Sequence, residues 1–336
     1  MKLAAALAAL VCTLPSAFAQ SPLSKDAEAL RPMVRTKAAA EWLDRADDVT
    51  GSNGRDLPER TIYVRGRPNR ALTQAQYDAL PEDERDGWRE RPVTPETYLS
   101  TFYGSPIAYL PALDFAGEAM HATPDDPEPT FAGKKILDLG YGQIGQLEML
   151  AACGAHAIGV DVDPILTLLY DDTLEPREVP NPDGPAGTVQ VMQCLWPNDA
   201  DCRERVGTGY DLILARNLLK RGYVKPTKPI GEYVPVAEGL SDEDACKQFY
   251  NALAPGGVLV IYSLGPAPDP EVPWSDIANP WALSAWQAAG FEVVRHDEDV
   301  STPARVMFAA LGYGDPDDLE TSLFGVCSVY RKPSSE

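Results

Sequence analysis

From Lys134 onward, apolar residues gather into short runs that alternate with stretches of helical periodicity. Ile136–Leu139, Ala157–Val160, Val189–Met192, Asp211–Ala215, Val258–Tyr262, Phe291–Arg295 and Phe324–Tyr330 predict strands. Between them, Gln146–Cys153 reads as a helix stopped by Gly154, and Ile165–Tyr170 as a second. Asp242–Leu253 is a third, followed by the turn Pro255–Gly257, and Trp281–Ala289, stopped by Gly290, is a fourth. Strands joined by helical crossovers predict an α/β fold in three layers: a mostly parallel sheet with helices on both faces.

Residues 20 to 130 have no long apolar periodicity and are rich in charge, Pro and Tyr. Short helices are expected at Lys37–Ala46, Thr73–Ala79, where Thr73 and Gln76 form a capping-box pattern, and Pro95–Tyr98. A longer one runs through Ile107–Met120, with Ile107, Leu110, Leu113 and Ala116 at helical spacing. This region has too little apolar length for its own core and reads as an arm or lid on the domain 131–336. Residues 1–19 have the order of a secretory signal: basic Lys2, the apolar run Leu3–Leu14, and the small-residue ending Ala17-Phe18-Ala19. Cleavage after Ala19 and a periplasmic or secreted product are expected, with no lipid at Cys12 and no membrane insertion, since no later apolar run is long enough to cross a bilayer.

Charge narrows the choice of partner. With 29 Lys and Arg against 50 Asp and Glu the net charge is −21, a surface that repels nucleic acid and anionic membranes; a small-molecule substrate is the partner expected. Export permits disulfides; Cys194 and Cys202 are the best local pair, with Cys246 a rival for either. Cys153 and Cys327 read as packed thiols. The consecutive carboxylates Asp297, Glu298 and Asp299 point in different directions and read as a solvated turn; with three histidines and no Cys-x-x-Cys, no metal site is expected.

The chemistry concentrates after the first strand of the main domain, at Asp138-Leu139-Gly140-Tyr141-Gly142-Gln143-Ile144-Gly145. There Gly140 permits a tight turn, Gly142 lets a ligand approach backbone, and Gly145 allows close packing of helix on strand. Amides at the start of the next helix suit an electron-rich group. The second strand ends in Asp161, placed to accept both hydroxyls of a ribose.

In these features the chain resembles the class I S-adenosylmethionine-dependent methyltransferases, as an exported member. Asp138 carries the preference: methyltransferases place an acid two positions before the first glycine, whereas nicotinamide enzymes carry an apolar residue just before it. The likeness extends over about 131–335, through Gly159-Val160-Asp161-Val162-Asp163-Pro164, Tyr210-Asp211-Leu212-Ile213-Leu214 and Leu253-Ala254-Pro255-Gly256-Gly257-Val258-Leu259. It implies a Rossmann-like sheet of order 3-2-1-4-5-7-6, strand seven antiparallel, with S-adenosyl-L-methionine as cofactor. On this resemblance Asp138 positions the methionine amino group through the loop and Asp161 holds the ribose. Gly140, Tyr141, Gly142, Gly145, Val162, Cys194 and Leu195 complete the lining, and Tyr103 covers it as a lid residue. Two departures stand out. Ile144 occupies a position where the family commonly has glycine, and Gln193-Cys194-Leu195-Trp196 offers no acid for adenine, which shifts that contact to backbone or Asp199.

On the acceptor side, the loop after the fourth strand supplies Asn217, Lys220 and Tyr223, and the adjacent cations Lys220 and Arg221 suit an anionic acceptor such as a carboxylate or phosphate. Trp274 and Asp276 could form an acceptor wall. Two other functions stay open: a non-catalytic exported binding or interaction protein on the same scaffold, and an NAD-dependent oxidoreductase.

Overall fold

The computed structural model describes residues 23–50, 60–66, 70–101, 104–120, 130–230 and 235–334. The expected leader and the lid residue Tyr103 lie outside them.

The arm opens with helices Leu23–Leu30, Lys37–Asp44 and Ala46–Thr50. A three-stranded antiparallel sheet follows, β1 (Arg60–Arg65), β2 (Arg70–Thr73) and β3 (Arg89–Val93), in order β2-β1-β3. This sheet was not foreseen, because its strands are short, rich in Arg, and in β3 interrupted by Pro92. The expected helix after Thr73 forms over Gln74–Asp78, with both halves of the capping box made. Pro95–Ser100 and Leu110–Met120 are helical as well.

The main sheet has eight strands: β4 (Lys135–Leu139), β5 (His156–Asp161), β6 (Arg177–Val179), β7 (Gly187–Gln193), β8 (Tyr210–Arg216), β9 (Leu253–Gly265), β10 (Glu292–Asp299) and β11 (Phe324–Arg331). Their order is β10-β11-β9-β8-β4-β5-β7-β6. The pairs β4–β5, β4–β8, β5–β7 and β8–β9 are parallel, and β11 runs antiparallel between β9 and β10. The edge strand β6 adds an antiparallel pair to β7 that the apolar pattern did not reveal. Two sequence expectations need correction. Pro255–Gly257 lies within β9 rather than in a turn before it, and Asp297–Asp299 belong to β10, where Asp297 takes a positive φ of 50° at an irregularity in the pairing with β11.

Alternation along the strands divides the core. Ile136, Leu212, Leu214, Val258, Val260 and Tyr262 face a layer containing the arm helices, Gly145–Ala152, Pro164–Leu169 and Ser301–Ala310. Leu137, Leu139, Ile213, Ala215, Leu259 and Ile261 face the opposite layer of Ala200–Val206, Asp242–Ala252 and Leu283–Ala289. The arm's Trp42, Leu43 and Leu113 are fully buried in the first layer, so the arm shares the sheet's core. On the other side Cys194 and Cys202 are disulfide-bonded, while Cys153, Cys246 and Cys327 are buried free thiols.

Candidate functional site at the carboxyl ends of the strands

β4 ends in a turn with Gly140 and Gly142 at φ 71° and 60°, values that side-chain-bearing residues rarely adopt. A Cβ on Gly140 would lie 2.8 Å from Cδ2 of Leu218; the loop after β8 thus covers the first glycine. Gly145 serves a different purpose from the one expected. A Cβ there would lie 2.5 Å from Cγ of Pro106 and 2.8 Å from the Leu99 carbonyl, so this glycine admits the arm. Close packing of helix on strand is achieved at Gly159, where a Cβ would meet Leu147 and Tyr141 at 2.6 and 2.8 Å.

Hydrogen bonds fasten the arm to the turn. Thr101 Oγ1 donates to the Gly142 carbonyl at 2.9 Å. The Gln143 side-chain amide, with its nitrogen turned toward the arm, donates to the carbonyls of Ser100 and Gly104 at 2.6 and 2.7 Å. The Ile144 amide donates to the Tyr170 hydroxyl at 3.3 Å, which in turn donates to the Tyr98 carbonyl. Ile144 is fully buried, so an apolar residue at this position serves packing beneath the arm.

Asp138 is fully buried beneath the turn. Its carboxyl accepts from Gln146 Nε2 at 2.9 Å, and the Tyr109 hydroxyl lies 3.5 Å away. Gln146 also donates to the Tyr141 carbonyl at 2.9 Å, so Asp138 acts on the turn through Gln146. Burial pushes the Asp138 carboxyl up to about 7, against the lowering effect of Gln146, Tyr109 and Arg216.

Asp161, at the end of β5, is more open. Oδ1 accepts from the Asp163 amide at 3.0 Å and Oδ2 from the Gly142 amide at 3.3 Å. A carboxylate has about four acceptor sites, so capacity remains for further donors. Desolvation raises its pKa to about 6, offset by the Asp163 and Gly142 amides. Val162 follows with 49% of its surface exposed. Cys194 and Leu195 are half-buried, while Asp199 is exposed. These residues fit an adenosine: acceptors for a diol, an apolar face beside them, and the Gly142 backbone adjacent. Tyr141, Gly142 and Gly145 are buried beneath the arm.

The acceptor-side residues are brought to the end of β8 but used differently from one another. Asn217 takes φ 60°, and its Oδ1 accepts from the Leu264 amide at 2.6 Å, tying β8 to β9. Lys220 is 5% exposed, with Nζ 4.3 Å from the centroid of the half-buried Tyr223 ring, and desolvation lowers its pKa to about 8. Arg221, expected to steer an anion with Lys220, is instead held by Asp276, with Nε–Oδ2 at 2.7 Å and Nη2–Oδ1 at 3.2 Å. That pair removes Asp276 as a free anchor; Trp274 is half-buried beside it.

Sequence reasoning passed over Arg216, Tyr109 and Tyr262. Arg216 shares the face of Leu212 and Leu214 by strand alternation, and its guanidinium carbon sits 5.1 Å from the Tyr109 ring centroid. A cation in phase with the apolar face of a buried strand was the available signal. Among the described residues no group of three or more His, Cys, Asp or Glu is placed to hold a metal ion, and no helix is long and apolar enough to cross a membrane.

No family model matches the chain, and no curated protein matches it. Similar solved structures do exist. A S-adenosylmethionine dependent methyltransferase from Mesorhizobium loti is 17% identical, covering 66% of this chain and 97% of that one, with a TM-score of 0.37. The Haemonchus contortus phosphoethanolamine N-methyltransferase 2 is 14% identical over 74% of this chain and 63% of that one, at a TM-score of 0.38. The [4+2]-cyclase SpnF is 17% identical over 66% and 80%, at a TM-score of 0.37.

Proposed function

We propose that the chain binds S-adenosyl-L-methionine at the carboxyl ends of β4 and β5 and transfers its methyl group to a small anionic acceptor. The observation that carries this reading is Asp161, a strand-end carboxylate with unused acceptor capacity between the Gly142 amide and the exposed Val162. When bound, the cofactor supplies an activated methyl group on sulfonium. Asp161 accepts the ribose hydroxyls, Val162, Cys194 and Leu195 flank the adenine, and Asp138, through Gln146, fixes the turn that faces the methionine end. Asn217 holds the ends of β8 and β9 in register. Lys220, whose burial keeps part of its population neutral near pH 8, accepts a proton at Nζ from the acceptor, and Tyr223 shields it. The strand order, with β11 antiparallel, supports placing the fold with the class I methyltransferases. Export after cleavage past Ala19 belongs to the same proposal and is supported by the Cys194–Cys202 disulfide, which suits an oxidising compartment.

One observation favours a second reading, a binding protein without turnover. Leu218 covers Gly140, and the arm is fastened over Gly142 and Gly145, so access to the methionine end requires both to move. Calorimetry with S-adenosylhomocysteine and with NAD separates the possibilities. The proposal expects micromolar binding of the former, weaker binding of the latter, and at least a tenfold loss in Asp161→Ala, from charge-assisted hydrogen bonds worth about 1.5–3 kcal/mol each. Equal affinity in the folded variant would refute the placement, preferred NAD binding would favour an oxidoreductase, and binding without methyl transfer to any co-purified compound would favour the second reading.

A further inference from the structure

The last residue of β8 is a cation with no ion-pair partner among the described residues. Among the described residues, the Arg216 guanidinium makes no hydrogen bond and no ion pair, and its Nε is buried. Its register partner on β9 is Tyr262, which lies on the same face, is fully buried, and whose hydroxyl also has no hydrogen-bond partner. On the arm side the Tyr109 ring backs the guanidinium at 5.1 Å, and Ser105 Oγ is a further buried hydroxyl without a partner. A fold rarely leaves a buried guanidinium nitrogen and a buried hydroxyl unmet on neighbouring strands, because each unmet buried group costs the desolvation it has undergone.

We infer that Arg216, with the Tyr262 hydroxyl, forms the receptor for a ligand carboxylate at the carboxyl ends of β8 and β9. This assigns the anion of the acceptor site to Arg216 in place of Lys220 and Arg221, and it rests on the methyl-transfer reading only for the identity of the ligand. The fork of Nε and Nη matches the two oxygens of a planar carboxylate, and a tyrosine hydroxyl adds a third donor. A single negative charge suits this place better than a phosphate dianion, because one cation stands here and the carboxyls of Asp138 and Asp161 lie in the same region. Burial favours the protonated form of Asp138, which reduces its repulsion of an incoming anion.

The carboxylate could come from the acceptor or from the amino-acid end of the cofactor, and one titration tells them apart. In the arginine Nε–H region of a proton–nitrogen correlation spectrum, one resonance should be absent from Arg216→Lys. In the wild type that resonance should shift saturably with sodium acetate and not with sodium chloride. If S-adenosylhomocysteine shifts it while 5′-methylthioadenosine, which lacks the amino-acid group, does not, the carboxylate is the cofactor's. Arg216→Met should then bind the former about tenfold or more weakly and the latter unchanged. If acetate still shifts the resonance with S-adenosylhomocysteine bound, the carboxylate is the acceptor's, and both nucleosides should bind Arg216→Met within about twofold of wild type. Should neither nucleoside bind while acetate acts as described, the receptor stands and the methyl-transfer reading falls. A resonance indifferent to acetate and to S-adenosylhomocysteine alike would overturn the inference, and beyond the conservative lysine variant that assigns it this result needs no other substitution.

Discussion

Replacing Asp138 by asparagine isolates the cost of charging a carboxyl beneath the glycine turn. The side chain is fully buried, and its pKa is raised from 3.8 to about 7, chiefly by desolvation. The folded protein therefore keeps this proton over a range in which the unfolded chain has lost it. The resulting stability is fully present below about pH 4 and is lost as pH rises through about 7. Each pH unit between the two values is worth about 1.4 kcal/mol, so the whole interval amounts to about 4 kcal/mol. Asparagine preserves the shape and can still accept from Gln146, but it does not titrate. Urea unfolding of both proteins from pH 4 to pH 8 should give nearly equal stabilities at the acid end. A gap in favour of Asp138→Asn should then open up to about 4 kcal/mol and level off above about pH 7. Stability curves that run parallel across this range would show that Asp138 ionises in the fold at its ordinary pKa, and the buried-acid account of the turn would be refuted.

Lys220→Met should show the opposite slope. Burial lowers the Lys220 pKa from 10.5 to about 8, so the folded form sheds its proton first and stability rises with pH between those values. The methionine variant should be more stable at pH 7 by up to about 3 kcal/mol, with the advantage gone above about pH 10.5; a destabilised variant at pH 7 would count against a desolvated lysine. Gly145→Ala should lose about 1–3 kcal/mol by overpacking against Pro106 and Leu99, despite the better helix propensity of alanine. Limited proteolysis should then find new cleavage near residues 100–106, and an unchanged or higher melting temperature would refute the arm's fit to this glycine.

Seven of the eight strands of the main sheet were readable because each is a short apolar run bounded by Gly, Pro or a polar turn, and the glycine turn and Asp161 could be placed for the same reason; the edge strand β6, Arg-Glu-Val, is too short and polar to show. The small arm sheet was not, since in β1 only Ile62 and Tyr63 are buried and the flanking arginines obscure any alternation. The acceptor side shows the limit more sharply. Lys220 and Arg221 are neighbours of like charge in sequence, yet one is buried against Tyr223 and the other is neutralised by Asp276, 55 residues away. The unmet state of Arg216 depends on where β9 and the arm leave Tyr262 and Tyr109, which no local pattern records. Gly145 reads as a packing glycine in either case, but which element it admits is decided by an arm that precedes it in the chain.

The fastening of the arm also sets an order of events during folding. The Ser105 amide is held by the Tyr313 hydroxyl at 2.8 Å across 208 residues, and the Arg331 guanidinium donates to the Ala119 carbonyl across 212. Segments synthesised early thus find their partners only when the final helices and β11 have emerged. Contacts of such separation make folding slow, because loop closure precedes any gain from packing. These two fastenings of the arm can therefore form only once the last helices and β11 are available.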